Sequence, residues 1–562
     1  MKRVYFLHIL LIAFYLAQSC KSNKPANIPI AASVDTTHID TESVSISIDT
    51  INYLHLFLDS IQLGKENNLV GEDIHAENAL HEFYSMHDHQ LVWRDSLKSD
   101  EAIRQIIMAW KEGLNPKDYH LESLLDLNSY LGSKPTDRES EAIFDILLSD
   151  GLMVYADHLT QGKLDPESLY PSWNFFTRNL ANDAMEQFNT AISADSIGEY
   201  FEQLSPQTKG YSTLREGVMN YTNIIYMGGW DSLPILKTIH PYDSTFLAPM
   251  LRERLIVEGF EIEYDSSLVY DDKLIEQIKL FQMQSGLIDD GVIGKHSINA
   301  LNESATSKLN KIKVNMERSR WVLEGELNEF IIVNIARYQM YYSDSGQVTY
   351  TSKVMVGKDE KQTPVFRDNM EYVVFNPTWT LPQSISSTET LPKLQRDSLY
   401  MQKNNMVIIN AKGEVQSDSG LVWSDYTEDY FPFIIRQEPG PKNALGRVKF
   451  LFPNKYAIYL HDTPSRYLFA KEERAFSHGC IRLQNPLDFS EFLLSKQDTN
   501  WTMDSIRTVL DSAQTMSVRL KKKIPVYLMY WTAGINEDGR LFFVPDIYGR
   551  DERILRALGK ND

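Results

Sequence analysis

The hydrophobic residues in the N-terminal half of the chain recur every three or four positions, which is the spacing of an amphipathic helix. One series runs from Ala102 to Trp110 and stops at the helix-breaking sequence Gly-Leu-Asn-Pro, residues 113–116. A second series runs from Ala142 to Tyr155. The pattern predicts a helical domain over residues 51–240, and we interpret this domain as a scaffold without chemistry of its own.

A separate small helical unit is predicted over residues 250–305. Apolar residues from Leu274 to Phe281 mark one face of a helix, a turn with two glycines follows at 286–291, and a second short helix ends at Leu301. These residues are similar to the small three-helix peptidoglycan-binding domain, and the positions that carry the similarity are Phe281-Gln282, Gly286-Leu287, Asp290-Gly291, Gly294 and Ala300-Leu301. The similarity implies a fold and does not by itself imply a bound ligand.

The hydrophobic pattern changes after Lys313 from helical spacing to short runs rich in Val, Ile, Thr and Tyr, which are typical of strands. The runs that predict strands are 330–335, 347–356, 372–375, 448–452 and 456–460. They predict a mostly antiparallel β domain over residues 326–535, interrupted by a lid insertion at about 380–442 and followed by a C-terminal extension, 536–562. The fold class expected for the whole chain is therefore α+β and multidomain.

The first 20 residues are predicted to be an export signal. A basic start precedes an apolar run from Val4 to Ala17, which is shorter than the roughly 20 residues that span a bilayer. The small residues just before Cys20 resemble a bacterial lipoprotein signal, which implies a lipid on Cys20 and a periplasmic, membrane-anchored protein. A simple signal peptide or an uncleaved anchor is the alternative. Residues 21–50 contain no aromatic residue and are predicted to be a flexible linker.

Composition narrows the classes of protein. The chain has 562 residues, with 56 basic and 76 acidic side chains and a net charge of −20. This acidic balance argues against a nucleic-acid binder, because such proteins neutralise phosphates with Lys and Arg. The chain has only 2 cysteines, so no disulfide framework can hold it together, and each cysteine needs its own explanation.

The second cysteine, Cys480, lies close in sequence to two histidines, His461 and His478. A thiol attacks carbonyl groups as its thiolate, so an imidazole that accepts its proton would make it a nucleophile. Gly479, between His478 and Cys480, allows close backbone approach and could free N–H groups for an oxyanion. Two other interpretations stay open from spacing alone: a buried structural cysteine, and a zinc site made by the two histidines and the cysteine, for which no fourth ligand is evident.

The complete string, His461, fifteen intervening residues, then Ser-His-Gly-Cys-Ile-Arg at 477–482, resembles the signature of L,D-transpeptidases of the YkuD type. The segments that extend the resemblance to the large periplasmic branch of that family are Phe375-Asn376-Pro377-Thr378-Trp379 with Leu381-Pro382, residues 437–446, residues 546–551 and residues 113–119. It covers the chain from about residue 50 to 552.

The resemblance implies a mechanism and a set of site residues. Cys480 is the expected nucleophile and His461 the general base, oriented by the backbone carbonyl of Asp462. The amide groups around Gly479 and Cys480 are expected to hold the oxyanion, and His478 is expected to support the loop or the substrate. The residues expected to contact substrate are Arg482, Ser477, Tyr459 and Asn443, with Arg482 as a partner for a stem carboxylate.

The implied reaction forms 3→3 cross-links in peptidoglycan from tetrapeptide stems, needs no metal or cofactor, and is open to inhibition by carbapenems. If water replaces the acceptor amine, the activity is that of an L,D-carboxypeptidase. A non-catalytic peptidoglycan-binding lipoprotein, a cysteine peptidase of the NlpC type and a zinc peptidase are the rival classes. In the NlpC type the cysteine precedes its histidine, whereas here His461 comes first, and no His-Glu-x-x-His string occurs in the chain.

Overall fold

The computed structural model describes residues 52–62, 68–175, 178–235, 237–322 and 328–559. The predicted signal, the linker and Cys20 lie outside these ranges. No helix within the described ranges combines the length and the apolar character needed to cross a bilayer.

The N-terminal region is helical, as predicted, apart from one small hairpin, β1–β2 (Asn68–Leu69 and Glu72–Asp73). Its helices, α1 to α9, are Tyr53–Gln62, Glu77–Met86, Ser96–Met108, Leu121–Ser133, Arg138–Gln161, Pro166–Leu169, Ala184–Ser193, Ile197–Leu204 and Lys209–Tyr226. Helix α5 (138–161) is buried along most of its length. Two carboxylates on it, Asp145 and Asp150, accept hydrogen bonds from backbone N–H groups of the segments that pack around it, at Trp93 and Ala76 among others. Hydrogen bonds to these buried carboxylates thus hold the neighbouring segments against a largely hydrophobic helix.

The small helical unit contains α10 to α12, which are Leu247–Val257, Asp272–Gln284 and Lys295–Leu301. The predicted helix face from Leu274 to Phe281 forms part of its own hydrophobic core. The turn predicted at 286–291 uses Gly286 and Gly291 at positive φ, 70° and 76°, where a glycine avoids backbone strain. Helix α13, Ala305–Arg320, leads from this unit to the β domain.

The β domain is built on one sheet of nine strands, β3–β6 and β11–β15, in the order β13-β5-β14-β12-β11-β6-β15-β3-β4. The strands are Glu329–Asn334, Gln339–Asp344, Gln347–Gly357, Phe366–Phe375, Val448–Leu451, Leu460–His461, Ala475–Ser477, Ile481–Leu483 and Met516–Met529. Strand β4 also pairs with β5, which closes the sheet on itself. Most pairings are antiparallel, and β12 with β14, β13 with β5 and β15 with β3 are parallel. The core lies inside this closed sheet and under helices α17 to α19, which are Pro486–Ser495, Met503–Asp511 and Asp551–Leu558.

One predicted strand is wrong. The run at 456–460 is a loop, and only Leu460–His461 pairs as β12. The side chain of Asn454 accepts hydrogen bonds from the N–H groups of Tyr456 and Ile458, and Ala457 has a φ of 54°. An Asn side chain that bonds its own loop competes with the strand ladder.

The insertion, residues 380–442, is a small folded unit. Strands β7 to β10 (Trp379–Thr380, Met406–Ile409, Val415–Gln416 and Ile434–Gln437) form a separate sheet in the order β7-β10-β8-β9. Short helices α14 to α16 (Gln383–Ile385, Leu391–Arg396 and Tyr400–Lys403) pack against it, and a π-helical turn, Ser386–Thr390, joins the first two. Its own hydrophobic core includes Leu394, Trp423 and Ile435.

The last hairpin of the chain, β16–β17 (Ala533–Ile535 and Leu541–Phe543), packs on α9 and α13. These observations confirm the α+β multidomain class, and the exact domain boundaries stay predictions.

Candidate active site

Cys480 lies at the end of a tight turn between β13 and β14, which we call the Cys480 loop (residues 477–480). Strand β14 runs parallel to β12, with Leu460 opposite Ile481 and His461 opposite Arg482. Cys480 is half-buried, and its Sγ lies 3.5 Å from the carbonyl oxygen of Ala457. The sheet therefore holds His461 on the strand next to β14, and Cys480 immediately precedes β14.

His461 is buried, with 4% of its surface exposed. Its Nδ1 lies 2.6 Å from the carbonyl oxygen of Asp462. Since a carbonyl oxygen only accepts, Nδ1 carries the proton and Nε2 is left with its lone pair. The Asp462 side chain points elsewhere and accepts from the N–H of Arg447 at 2.8 Å and from Arg466.

Burial, together with nearby positive charge, keeps His461 neutral. Burial and the charges of Arg482 and Lys449 lower the pKa of His461 to about 3, against the Asp462 carbonyl, which raises it. Burial raises the pKa of the Cys480 thiol above its usual range, while hydrogen bonds from Tyr459 and the positive charges of Arg482 and Lys449 lower it. In this structure the pair is thus a neutral imidazole beside a thiol.

Lys449 is a residue of this site that the sequence analysis missed. It lies on β11, directly opposite His461 on β12. A signal existed in the sequence: Lys449 interrupts the apolar residues Val448 and Phe450 of a predicted strand, so it faces the other side of the sheet from them.

The Cys480 loop is held by hydrogen bonds of its own. The Ser477 hydroxyl accepts from the N–H of Gly479 at 3.1 Å and donates to the carbonyl of Cys480 at 2.5 Å. The carbonyl of Gly479 accepts from the buried hydroxyl of Thr363 at 2.8 Å. Gly479 has a φ of 117°, a conformation that favours glycine.

Only one of the two amides predicted to hold the oxyanion is available. The N–H of Gly479 is already bonded to Ser477. Within the described parts of the chain the N–H of Cys480 makes no hydrogen bond. The geometry therefore favours the Cys480 amide as the oxyanion donor.

His478 projects outward from the loop. Its Nε2 lies 2.5 Å from Oε1 of Glu389, in the π-helical turn of the insertion. The side chain is 35% exposed. His478 therefore connects the Cys480 loop to the insertion.

Two residues predicted to contact substrate are placed differently by the structure. Asn443 is buried, donates to the carbonyls of Pro377 and Glu438, and accepts from the N–H of Leu445. Ser477 is also buried, and its hydroxyl is used within the loop. Backbone groups thus already engage both side chains within their loops, and the contacts of Asn443 and Ser477 with substrate stay predictions.

Tyr459 and Arg482 lie beside Cys480. The Tyr459 ring packs edge-on against the His461 ring at a centroid distance of 5.6 Å. Arg482 is half-buried, next to His461. No group of three His, Cys, Asp or Glu side chains placed to hold a metal ion occurs in the ranges that the structure describes.

Comparison with known proteins identifies two domains. Residues 328–509 match the L,D-transpeptidase catalytic domain of the YkuD family, and residues 78–217 match a scaffold domain. A putative L,D-transpeptidase of Haemophilus influenzae is 36% identical over 247 residues, which is 44% of this chain and 49% of that protein. The chain thus spans about half the length of the curated relative that it matches.

Solved structures of L,D-transpeptidases also match. One from Xylanimonas cellulosilytica has 13% identity and a TM-score of 0.17, over 53% of this chain and 100% of that one. Another, from Stackebrandtia nassauensis, has 12% identity and a TM-score of 0.22, and the match covers 53% of this chain and 97% of that one.

Proposed function

We propose that this chain, which carries an L,D-transpeptidase catalytic domain over residues 328–509, is a cysteine acyltransferase that forms 3→3 cross-links in peptidoglycan. The observation that carries the proposal is the hydrogen bond between His461 Nδ1 and the Asp462 carbonyl. It leaves Nε2 unprotonated on the strand next to Cys480, which is what a general base for this thiol requires.

In the first step, His461 takes the thiol proton as Cys480 Sγ attacks the carbonyl of the third residue of a tetrapeptide stem. The C=O electron pair moves to oxygen, and the N–H of Cys480 stabilises the resulting oxyanion. When the oxyanion collapses, the bond to the terminal D-Ala breaks. The His461 imidazolium then protonates its amine, which leaves a thioester on Cys480.

In the second step, the amine of another stem loses a proton to His461 and attacks the thioester. An amide forms, and the thiol of Cys480 is regenerated with that proton. If water attacks in place of the amine, the product is a free acid and the activity is that of an L,D-carboxypeptidase. Tyr459 and Arg482 line the site, and Arg482 is the proposed partner for a stem carboxylate. His478 supports the Cys480 loop through its contact with Glu389 of the insertion.

The proposal includes a cellular location for the protein. A lipid on Cys20, a flexible linker and a periplasmic location would let a membrane-anchored enzyme reach the cell wall. Carbapenems are proposed to acylate Cys480 in the same way as the donor peptide. These parts rest on the sequence of the N-terminus and on the family resemblance.

The test is product analysis with a purified tetrapeptide muropeptide as donor and a second stem as acceptor. We expect a Cys480 thioester by intact mass, release of D-Ala and a 3→3 dimer from the wild type, and none of these from Cys480→Ala. The matched control is Cys20→Ala, which removes the other cysteine and should keep the dimer.

Dimers formed by Cys480→Ala would contradict the proposal, as would activity lost to a chelator but not to thiol alkylation. A free acid as the sole product would favour the carboxypeptidase. Binding without any turnover in the wild type would favour the non-catalytic lipoprotein.

A further inference from the structure

We propose that Lys449 and Arg482 together form a two-cation site that binds the free C-terminal carboxylate of the donor peptide, on the residue that leaves. This inference rests on the proposed function and extends it to the recognition of the donor. It explains how the enzyme would select a peptide that ends one residue after the bond to be broken.

The sheet register places the two cations on either side of the general base. Lys449 on β11 lies opposite His461 on β12, and His461 lies opposite Arg482 on β14. Residues directly opposite each other on neighbouring strands project from the same face of a sheet. Lys449, His461 and Arg482 therefore form one row across three strands, and Cys480 immediately precedes Arg482.

Neither cation has an acidic partner among the described residues. Lys449 has only an aromatic neighbour, with its Nζ 5.7 Å from the centre of the Tyr459 ring. Arg482 forms no ion pair within the described ranges, and its Nε is buried without a hydrogen bond. Burial lowers the pKa of both side chains, and the acidic group that opposes this effect is the Cys480 thiol itself.

Among the other buried cations of the described ranges, Arg474 donates to backbone carbonyls, those of Lys471 and Tyr338 among them. The rest have carboxylate partners, and the pairs are Arg252 with Asp271, Arg254 and Lys308 with Glu258, Arg318 with Asp551 and Arg320 with Glu317. Withdrawing two positive charges from water without a counter-charge is costly. The position of Lys449 and Arg482 is consistent with an anion that arrives with the substrate.

The chemistry of the donor supplies such an anion at the right place. In a peptide that ends with the leaving residue, the terminal carboxylate is separated from the attacked carbonyl carbon by one nitrogen and one α-carbon, about 4 Å at most. A donor with one more residue carries a neutral amide at that position, so the two cations would stay desolvated and unpaired. Charge-assisted hydrogen bonds to a carboxylate would therefore favour the shorter donor.

The test compares two donors that differ only in this group: a tetrapeptide stem with a free terminal carboxylate, and the same stem as its C-terminal carboxamide. For Lys449→Met we expect the ratio of kcat/KM for the carboxylate donor to kcat/KM for the carboxamide donor to fall about 10- to 100-fold, mainly through the KM of the carboxylate donor. The carboxamide donor measures the part of the loss that arises from the effect of Lys449 on the thiol and on His461. Lys449→Arg should restore the preference for the carboxylate. The matched control is Lys523→Met, which removes a lysine of the same sheet that pairs with Glu371.

An equal loss for both donors in Lys449→Met would overturn the inference, because it would mean that Lys449 acts on the thiol or on the fold. A preference for the carboxylate donor that is unchanged in Lys449→Met would also overturn the inference. In that case Arg482 alone, or a carboxylate elsewhere in the stem, would determine the preference.

A binding measurement keeps this result separate from the proposed function. In Cys480→Ala, calorimetry with the two stems should give a lower Kd for the carboxylate, and adding Lys449→Met should remove the difference. If the wild type gives no acyl-enzyme with either donor, the proposed function fails, whereas equal Kd values for the two stems overturn the inference.

Discussion

Thr363, a residue of the loop between β5 and β6, determines which way the peptide group before Cys480 points. Its buried hydroxyl donates to the carbonyl of Gly479 at 2.8 Å and accepts from the N–H of Gly357 at 2.9 Å. In a trans peptide the C=O and N–H of one unit point in opposite directions. Fixing the Gly479 carbonyl toward Thr363 therefore directs the Cys480 N–H away from Thr363, where it can meet an oxyanion.

Thr363→Val tests this positioning role, since it keeps the shape of the side chain and removes the hydroxyl. We expect the rate of Cys480 acylation to fall about 10- to 100-fold, less than the loss on deleting an oxyanion donor outright, with KM little changed. Thr363→Ser should recover most of the rate, because it restores the hydroxyl. The measurement is single-turnover acylation followed by intact mass.

A matched change in KM and kcat for Thr363→Val, or no recovery in Thr363→Ser, would contradict positioning. Folding is checked by thermal unfolding, since a buried hydrogen bond left unmade costs about 1–3 kcal/mol.

The sequence was informative for site residues that are close together in the chain and uninformative for those brought in by the sheet. His461, Cys480 and the Asp462 carbonyl belong to one continuous segment with a recognisable string. Thr363 lies in the loop between β5 and β6 and Lys449 lies on β11, so their proximity to Cys480 depends on how the strands pair, which no local pattern reveals. The hydrogen bonds that engage Asn443 and Ser477 within their loops are likewise not predictable, because the sequence does not show whether a polar side chain is already bonded to backbone groups.

At the scale of elements, the insertion is a folded unit that contacts the Cys480 loop through a polar side chain. Its separate sheet and core let it hold a shape of its own. The contact is between Glu389 and His478, and Glu389 lies in a π-helical turn, a feature often found at functional sites. For the proposed reaction, we expect an insertion in this position to cover a bound donor and to limit the access of water to the thioester.

Glu389→Gln should weaken this contact without unfolding the insertion, because both side chains are partly exposed. We expect the ratio of free acid to cross-linked dimer to rise by about two- to fivefold, the change that corresponds to about 0.5–1 kcal/mol for one hydrogen bond. The measurement is chromatographic separation of the two products at fixed donor and acceptor concentrations.

Glu428→Gln is the control for this experiment, since it removes an exposed carboxylate of the same insertion. A product ratio that moves equally in both variants would show that general charge on the insertion, and not the contact with His478, sets the partition.

Element prediction succeeded where one periodicity dominates and failed where a side chain bonds its own loop. The helix from Leu274 to Phe281 and the strands β3, β5 and β11 follow from apolar spacing. The run at 456–460 has residues typical of a strand, yet the N–H groups of Tyr456 and Ile458 donate to the Asn454 side chain and not to a neighbouring strand. The sequence predicts the insertion as a lid but does not predict its sheet or its core, because the core is assembled from short segments without a sustained period.

At the scale of the molecule, helix α13 connects the scaffold to the β domain through buried polar side chains. Asn315 donates to the Thr532 hydroxyl at 2.8 Å, and Arg318 pairs with Asp551 at 2.7 Å. On the scaffold side, Arg320 donates to the Tyr211 hydroxyl at 3.1 Å and to the carbonyl of Glu112. The sequence of α13 could not predict these partners, since charged residues on a helix usually face solvent.

Arg320 provides the test of whether the scaffold and the β domain unfold as one unit. It is 1% exposed and pairs with Glu317, itself fully buried. Arg320→Met leaves the Glu317 charge without its partner, so we expect the free energy of unfolding to fall by about 3–5 kcal/mol. Urea unfolding should show loss of helical signal and of Cys480 acylation at the same, lowered midpoint. The control, Arg507→Met, removes an exposed surface pair with Asp504 and should cost under about 1 kcal/mol. Acylation that survives to a higher urea concentration than the helical signal would mean that α13 does not couple the two domains.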